Sequence, residues 1–450
     1  ELTIDAAVVV GKIRPLHGVN GGPVNAGGTV DLTAHWREAA IPLTRLHDCE
    51  WPGGRVVDLH SIVPDLTRDL SKPESYRFDE TDDYLAAVLK ATPSIVFRLG
   101  ESIEHTPRKY HVHPPKDVEQ WAKACRGIIR HYNEGWANGF HHGIQYWEIW
   151  NEPENRPAMW TGTDTDYFRL YNTAAKSIKA EFPELKIGGP AVGASGEIVD
   201  GEWRPTQFME DFLKETRDSP LDFFSWHTYT DNPATYRIKA RGLRRWLDVH
   251  DRTKTEIHLN EWNFLPGNTW NPLSIEGQGA ARREWYAKQG GVSGAAFIAA
   301  VLIDLQESPV DVANLFTGDS GPFGLFTQHG EPKPTFHAVK AFRSLLETPL
   351  RLQTTGGEGS RIYLAAGINA EQSEITILIS HDRPGESRID LSIDNLPWPS
   401  VRIDDRRLNA QQSLDQPTLS HAVGKKLQPT ISLSGPEVVV LKLREPICLP

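Results

Sequence analysis

Two glutamates stand out by what surrounds them. Glu152 closes the run Tyr146-Trp147-Glu148-Ile149-Trp150-Asn151-Glu152-Pro153, and Glu261 lies in Glu256-Ile257-His258-Leu259-Asn260-Glu261-Trp262-Asn263. Each run is apolar and aromatic like a buried strand and ends in polar residues; Pro153 stops the first, because proline has no N–H to give a ladder. A carboxyl group at the end of a core strand, set among apolar neighbours, has its pKa raised toward the working pH, as a general acid needs. Two such groups facing each other over a substrate meet the requirement for glycoside hydrolysis: one protonates the leaving oxygen and the other attacks the anomeric carbon. Glu148, deeper in the same strand, reads instead as a structural carboxylate paired with an arginine in the fold's interior.

Bringing those two runs together takes a closed arrangement of strands. Strand patterns occur near His17 and over Ile41–His47, Ile95–Gly100, Ile144–Asn151, Lys186–Val192, Phe223–Tyr229, Glu256–Trp262 and Ala295–Leu302. Helical patterns separate most of them, over Asp82–Ala91, Asp117–Tyr132, Asp164–Phe182, Gln207–Thr216, Ala234–His250 and Ala280–Gln289. In the third, Tyr167, Leu170, Tyr171, Ala174, Ala175 and Ile178 make one apolar stripe, with Asp164 as a cap and Pro183 beyond the end. Eight strands alternating with helices predict a (β/α)8 TIM barrel rather than an open doubly wound sheet, and no dinucleotide glycine fingerprint follows the first strand. In such a barrel the site lies at the carboxyl ends of the strands. Read in turn, those ends supply His17 and Asn20, Arg45 and His47, Glu101, Asn151 and Glu152, His227 and Tyr229, and Glu261 with Trp262. Glu152 ends the fourth strand and Glu261 the seventh, across the mouth from each other. Arg45 either serves Glu261 or neutralises Glu148.

Beyond the helical Phe336–Leu346 the texture changes to short alternating strands: Arg361–Ile368, Glu374–Ser380, Ser387–Ile393, Val401–Asp404, Thr430–Ser434 and Glu437–Leu443. Gly, Pro, Asn and Asp separate them, the pattern of a β-sandwich. The opening strand Leu2–Val10 has no place in the barrel count and is expected to join the sandwich. The expected organisation is a catalytic barrel over 12–345 and an accessory sandwich from 1–11 and 346–450.

Composition bounds the partners. The net charge of −11 over 450 residues argues against nonspecific binding to nucleic acid or anionic membranes. No run approaches the roughly 20 apolar residues of a membrane span. Fourteen tryptophans suit sugar-binding clefts, where flat rings stack on apolar sugar faces. Three cysteines, Cys49, Cys125 and Cys448, are too few and odd in number for a disulfide framework. Cys125 falls on the apolar stripe of a helix and reads as core. The chain starts at Glu1 rather than methionine. A removed leader would fit that start and a secreted or periplasmic location, with a cytoplasmic one as the alternative.

Trp150-Asn151-Glu152-Pro153 on the fourth strand and Asn260-Glu261-Trp262 on the seventh resemble the signatures of clan A glycoside hydrolases. The Glu-Ile-Trp-Asn-Glu-Pro-Glu wording, the Trp226-His227-Tyr229 strand and the trailing sandwich are similar to family 39, which includes β-xylosidases, α-L-iduronidases and some arabinofuranosidases and galactosidases. The resemblance implies a retaining, exo-acting enzyme on a plant or microbial glycan, with Glu152 as acid/base and Glu261 as nucleophile. It further implies that Asn151 binds the sugar 2-hydroxyl, that His227 and Tyr229 line the same subsite and that the tyrosine orients Glu261. No cofactor or metal is implied. Two features depart from the pattern: a tryptophan platform expected at the eighth strand's end is replaced by Ala299-Ala300-Val301-Leu302-Ile303-Asp304, and Thr44-Arg45-Leu46-His47-Asp48 is no close match to the xylosidases. Both leave xylose specificity open.

Other residues invite other readings. The loop Glu104–Pro115 carries His105, His111 and His113, whose spacing matches no zinc pattern; it reads as a stiff cleft wall or a substrate-lining loop. His141 and His142 fall at the opposite barrel end, on the surface. Glu101 would meet sugar hydroxyls or satisfy backbone donors. Trp51, Trp160, Trp203 and Trp270 lie in loops after strands, as stacking platforms or packed beneath their own loops. The alternatives to hydrolysis are a non-catalytic carbohydrate-binding barrel and a transglycosidase.

Overall fold

The computed structural model describes residues 2–25, 28–357 and 359–446; Cys448 lies outside them. Eight parallel strands close into a barrel in sequence order: Gly18–Asn20, Thr44–Leu46, Ile95–Leu99, Tyr146–Ile149, Lys186–Val192, Phe223–Thr230, Glu256–Phe264 and Val312–Leu315. Strands covered on both faces need apolar side chains at nearly every position, and Ile95–Leu99 and Phe223–Thr228 are buried throughout. Helices between the strands form the outer layer. Asp117 caps Val118–Glu134 by accepting from the Glu119 and Gln120 N–H groups, and Gly135 ends that helix in the left-handed region. The Asp164–Glu181 helix is capped by Thr163 rather than Asp164, in a reciprocal capping box with Asp166.

One strand expectation fails. Ala295–Leu302, expected as the eighth strand, lies inside a helix, Val292–Asp304, and the eighth strand is Val312–Leu315. The helix is buried from Gly294 to Asp304. It runs between the barrel and the accessory domain, so no face of it meets water. A helix covered all round loses the polar stripe that would give it a 3.6-residue period, and its short apolar core reads as a strand. Ser380 on an accessory strand donates to the Ala296 carbonyl at 2.6 Å, which pins the two domains through this helix.

The accessory domain is one nine-stranded sheet curled around its own core. Its order is Thr418–Val423, Ser400–Leu408, Glu437–Arg444, Glu374–His381, Ile362–Ile368, Leu350–Thr355, Leu2–Lys12, Glu386–Asp394 and Thr430–Ser434. The opening strand Leu2–Lys12 pairs antiparallel with Leu350–Thr355 and parallel with Glu386–Asp394. Ile4, Ile377, Ile379, Leu391, Ile431 and Val439 fill the sandwich core. Ala365, Leu378, Leu408, Val438 and Val440 belong instead to the barrel's apolar core, so the sheet docks by its outer face.

Candidate active site

Arg45 is the buried centre of the site. Its Nε donates to Glu148 Oε2 at 2.6 Å, Nη1 to Glu261 Oε1 at 2.9 Å and Asn20 Oδ1 at 3.2 Å, and Nη2 to Asn151 Oδ1 at 2.6 Å. Both readings of this arginine are therefore correct at once. The planar fork of guanidinium allows it, since five fixed donors serve several acceptors from one charge. Asn260 adds an amide bond to Glu148 Oε1 at 2.7 Å. Burial pushes the Glu148 carboxyl up, but Arg45 and the bonds from Ser225 and Asn260 bring it below its ordinary value. Arg45 stays charged because Glu148 and Glu261 outweigh its own burial.

Glu152 and Glu261 meet around His227. The His227 Nδ1 lies 2.8 Å from Glu152 Oε1 and 3.6 Å from Glu261 Oε2, and the nearest oxygens of the two carboxylates fall within 4.8 Å of each other. The chain turns sharply to present Glu152: Trp150 and Glu152 both have positive φ, 71° and 43°, a conformation that non-glycine residues hold only when packing imposes it. Trp150 is fixed by a 2.9 Å bond from its indole N–H to the Met159 carbonyl and by the edge of Trp160. Asn155 donates to Glu152 Oε2 at 2.9 Å. Gly193 makes room for the other oxygen, because a Cβ there would stand 2.5 Å from Glu152 Oε1. On Glu261, the Tyr229 hydroxyl donates to Oε2 at 2.9 Å.

The three central groups share protons. His227 is held above its ordinary pKa: burial opposes its charge, but Glu261 and Glu152 more than offset that. Burial also pushes Glu152 up, and the His227 hydrogen bond and charge bring it below its usual value. Glu261 is raised, by burial first and by the Glu152 charge, against the lowering by His227 and Arg45. In the sugar-free site both shifts favour the imidazole side of the 2.8 Å bond as the seat of the proton. Transfer across the 2.8 Å bond converts Glu152 to the neutral acid, so the His227–Glu152 pair can give up one proton whichever atom holds it at rest.

The remaining expected residues divide. Asn151 is buried, and with Oδ1 taken by Arg45 its Nδ2 is left for a ligand. His47 lies beside Glu261, its Nε2 3.7 Å from Oε1. Glu101 accepts from the His60 backbone N–H at 3.1 Å and from the His60 ring, and His111 stacks on that ring at 3.6 Å. Burial raises Glu101 to about 7. His113 bonds to Thr161, so the histidine loop is tied down as a wall on this side of the mouth. His17 is a correction. It precedes the first strand, at the amino end of the barrel, where Nε2 meets the Ala39 and Ala40 carbonyls and the ring packs on Phe342. Trp262 is a second: the side chain after Glu261 points outward, is fully buried and meets Tyr236 of the preceding helix at 5.7 Å. Strand alternation puts neighbours on opposite faces, and the glutamate takes the inner one.

Aromatic cover comes from elsewhere. Trp160 and Trp203 are buried, Trp51 is half-buried near Tyr84, and Trp270 alone of the four is 49% exposed, with its ring 5.0 Å from Tyr229. Phe316 follows the true eighth strand and faces Tyr229 at 6.4 Å, where the resemblance leads one to expect a tryptophan. Asn155, Gly193 and Phe316 escape the strand-end reading because they sit in loops, and His60 because it lies in the short helix Leu59–Ile62. Asn155 alone carries a signal, three residues past Glu152 beyond a proline turn.

Among the described residues two trios have ligand atoms close enough for a cation, Asp58–His60–Glu101 and Glu152–His227–Glu261. Neither suits one: Arg98 already pairs with Asp58, Arg45 with Glu261, and each histidine nitrogen in reach is given to a carboxylate.

The model of glycosyl hydrolases family 39 matches residues 57–387. A beta-xylosidase of Caldicellulosiruptor saccharolyticus is 26% identical over 305 residues, 61% of this chain and 56% of that protein. One of Geobacillus stearothermophilus is 30% identical over 261 residues, 53% and 48% of the two chains. The chain thus spans about half the length of the curated relatives it matches. The crystal structure of a glucosidase from Croceicoccus marinus superposes with a TM-score of 0.79 at 26% identity, covering 99% of both chains. With the matched region spanning most of the barrel and reaching into the sandwich, the chain belongs to glycosyl hydrolases family 39.

Proposed function

We propose that the protein is a retaining glycoside hydrolase of the xylosidase/arabinosidase type, with Glu261 as nucleophile and Glu152 as acid/base. One observation carries the reading: the two carboxylates come within 4.8 Å of each other at the mouth of the barrel. Retaining enzymes hold theirs about 5–5.5 Å apart, whereas inverting enzymes need about 6.5–9.5 Å to seat a water between them. Glu261, gripped by Arg45 and Tyr229, attacks the anomeric carbon as the glycosidic C–O bond breaks. The His227–Glu152 pair delivers its proton to the departing oxygen. Water then enters on the Glu152 side, gives its proton to that carboxylate, and its oxygen displaces Glu261 from the anomeric carbon.

Glu261→Gln should abolish turnover of 4-nitrophenyl glycosides, and retained hydrolysis would remove Glu261 as nucleophile. Glu152→Ala should keep its activity on aryl glycosides with good leaving groups, which need little protonation, and lose natural substrates. Equal loss of both kinds would reject the acid assignment.

A further inference from the structure

We infer that Glu154, two residues past Glu152, is a second proton-bearing carboxyl of the centre: it ties down the segment that shapes the acid/base, and as it ionises it keeps the His227–Glu152 pair loaded with its proton. The inference rests on the proposed hydrolase reading, with Glu152 as acid/base, and adds a positioning residue to that same site.

Glu152 and Glu154 flank Pro153 and reach one short segment that follows the fifth strand, Lys186–Val192. Gly193 gives Glu152 its room, since a Cβ there would stand 2.5 Å from Oε1. The next residue, Ala194, donates its N–H to Glu154 Oε1 at 2.8 Å. Ser195 then donates from Oγ to the His227 carbonyl at 2.6 Å and accepts from Lys239 Nζ at 3.0 Å. Three successive residues thus meet Glu152, Glu154 and His227 in turn. Glu154 is a side-chain tie between the loop that carries Glu152 and the segment that braces His227. Only the backbone of Gly193 separates the two points of contact, so the carboxylates stand within about 8 Å of each other.

The surroundings of Glu154 suit a neutral acid. Its Oε2 is sealed from solvent and has no hydrogen-bond partner among the described residues. No lysine or arginine pairs with it among them either: Arg156 is taken by Asp164, and Lys239 by Ser195 and Thr228. A buried carboxylate without a cation keeps its proton to higher pH. Because Oε1 accepts from Ala194, that proton belongs on Oε2. Burial first, then the Glu152 charge, raise Glu154 to about 7, against the Ala194 and Glu154 N–H groups and His227. From the Asp164–Glu181 helix, Tyr167 also feels this carboxyl, but its phenol donates to the Ile149 carbonyl at 2.9 Å and burial keeps it neutral.

The coupling runs both ways. The charge on Glu152 delays the ionisation of Glu154, so a charge on Glu154 must strengthen the hold of the His227–Glu152 pair on its proton. At a separation of about 8 Å in partly screened surroundings the effect is about 1 pH unit. Glu154 is therefore silent while neutral and acts as pH rises, when the donor would otherwise empty.

The test is Glu154→Gln, which keeps the shape and the Ala194 bond and removes only the charge; thermal melts check the fold. Isotope-labelled histidine lets NMR follow the ionisation of His227 without substrate, its signal assigned by its loss in His227→Asn. In Glu154→Gln the proton should leave His227 about 1 unit lower in pH. The alkaline limb of kcat/KM for phenyl glycosides, whose poor leaving group needs the proton, should move down by the same amount, a loss of about tenfold at alkaline pH. A residue that only supports the loop would lower kcat/KM equally at every pH and leave the His227 titration in place. That result, or two unchanged curves, overturns the inference. If wild type hydrolyses no glycoside, the hydrolase reading fails on its own, and the His227 titration still decides the coupling. If Glu154→Gln does not fold, the wild-type titration decides it: the His227 signal must inflect a second time as Glu154 ionises near pH 7, and a single inflection overturns the inference.

Discussion

Replacing Tyr229 with phenylalanine removes one hydrogen bond from the nucleophile and almost nothing else. The phenol donates to Glu261 Oε2 at 2.9 Å, while Arg45 holds Oε1 at the same distance. His227 is 3.6 Å from Oε2 but bonds to Glu152 at 2.8 Å, so the phenol is the closest donor on that oxygen among the described residues. The ring stays, with its edge contacts to Trp270 and Phe323. A hydrogen bond to a charged group is worth about 1.5–3 kcal/mol. This one stabilises only the ionised carboxylate, so its loss raises the pKa of Glu261, and at about 1.36 kcal/mol per unit the rise is about 1–2 units.

The sign follows from the role. Glu261 attacks only when ionised, so activity climbs with pH through its pKa. Burial and the Glu152 charge already place that pKa above the ordinary glutamate value. In Tyr229→Phe the acid limb of kcat/KM for a 4-nitrophenyl glycoside should therefore move to higher pH by about 1–2 units, the pKa rise that the lost hydrogen bond implies. The measurement is kcat/KM across the acid range for both proteins in matched ionic strength. An acid limb that stays put while kcat falls at every pH would refute the reasoning. It would mean that the phenol serves the sugar rather than the nucleophile.

Three further outcomes follow from the geometry. Gly193→Ala places a methyl 2.5 Å from Glu152 Oε1, so the carboxylate must swing away; kcat should fall about a hundredfold, the cost of misplacing a reacting group by about 1 Å, with an unchanged melting temperature, and full activity would show that the close approach is not needed. Trp262→Phe should cost about 1–3 kcal/mol in urea unfolding and leave KM alone, because the indole packs on Tyr236 outside the barrel; a raised KM with normal stability would return Trp262 to the cleft. At the amino end of the barrel, burial pushes Glu256 up, but His258 and then Lys186 bring it down to about 2. A depressed carboxyl contributes stability that is complete above its unfolded pKa, about 4.5, and is lost as pH falls through its folded one. The stability gap between wild type and Glu256→Gln, discounted for partial exposure to about 1–2 kcal/mol, should thus be present at pH 7 and gone near pH 2; a gap that grows on acidification would contradict it.

Seven of the eight barrel strands and most of the helices are legible in the chain because each buries one face or both with the period its geometry imposes. The eighth strand is not. Val312–Leu315 is only four residues long, and the apolar Ala295–Leu302 nearby outweighs it as a strand signal. What hides the helix is tertiary: only the docked sandwich explains why Val292–Asp304 needs no polar face. Thr418–Val423 escapes for the opposite reason, as an exposed edge strand with almost no buried side. At the site, residues on strand tips are legible and residues on loops are not, since Gly193 and Asn155 act through positions that only the folded chain defines. His17 and Trp262 show the limit at finer grain. Trp262 adjoins Glu261 and His17 stands three residues before Asn20, yet one sits on the strand's wrong face and the other at its wrong end.

The charges around the cleft explain why a glutamate as deep as Glu148 belongs to the machinery without touching sugar. Arg45 alone beside Glu261 would hold a tight one-to-one pair and blunt the nucleophile. Glu148, at 2.6 Å from Nε, draws on the same cation from the far side. With Arg45 as a cation, one proton shared within the His227–Glu152 pair, and Glu148 and Glu261 as anions, the centre carries one net negative charge. The transition state for glycosyl transfer is oxocarbenium-like and carries a developing positive charge. A preorganised site that is one charge negative becomes neutral as that charge appears, which favours the transition state over the uncharged bound substrate.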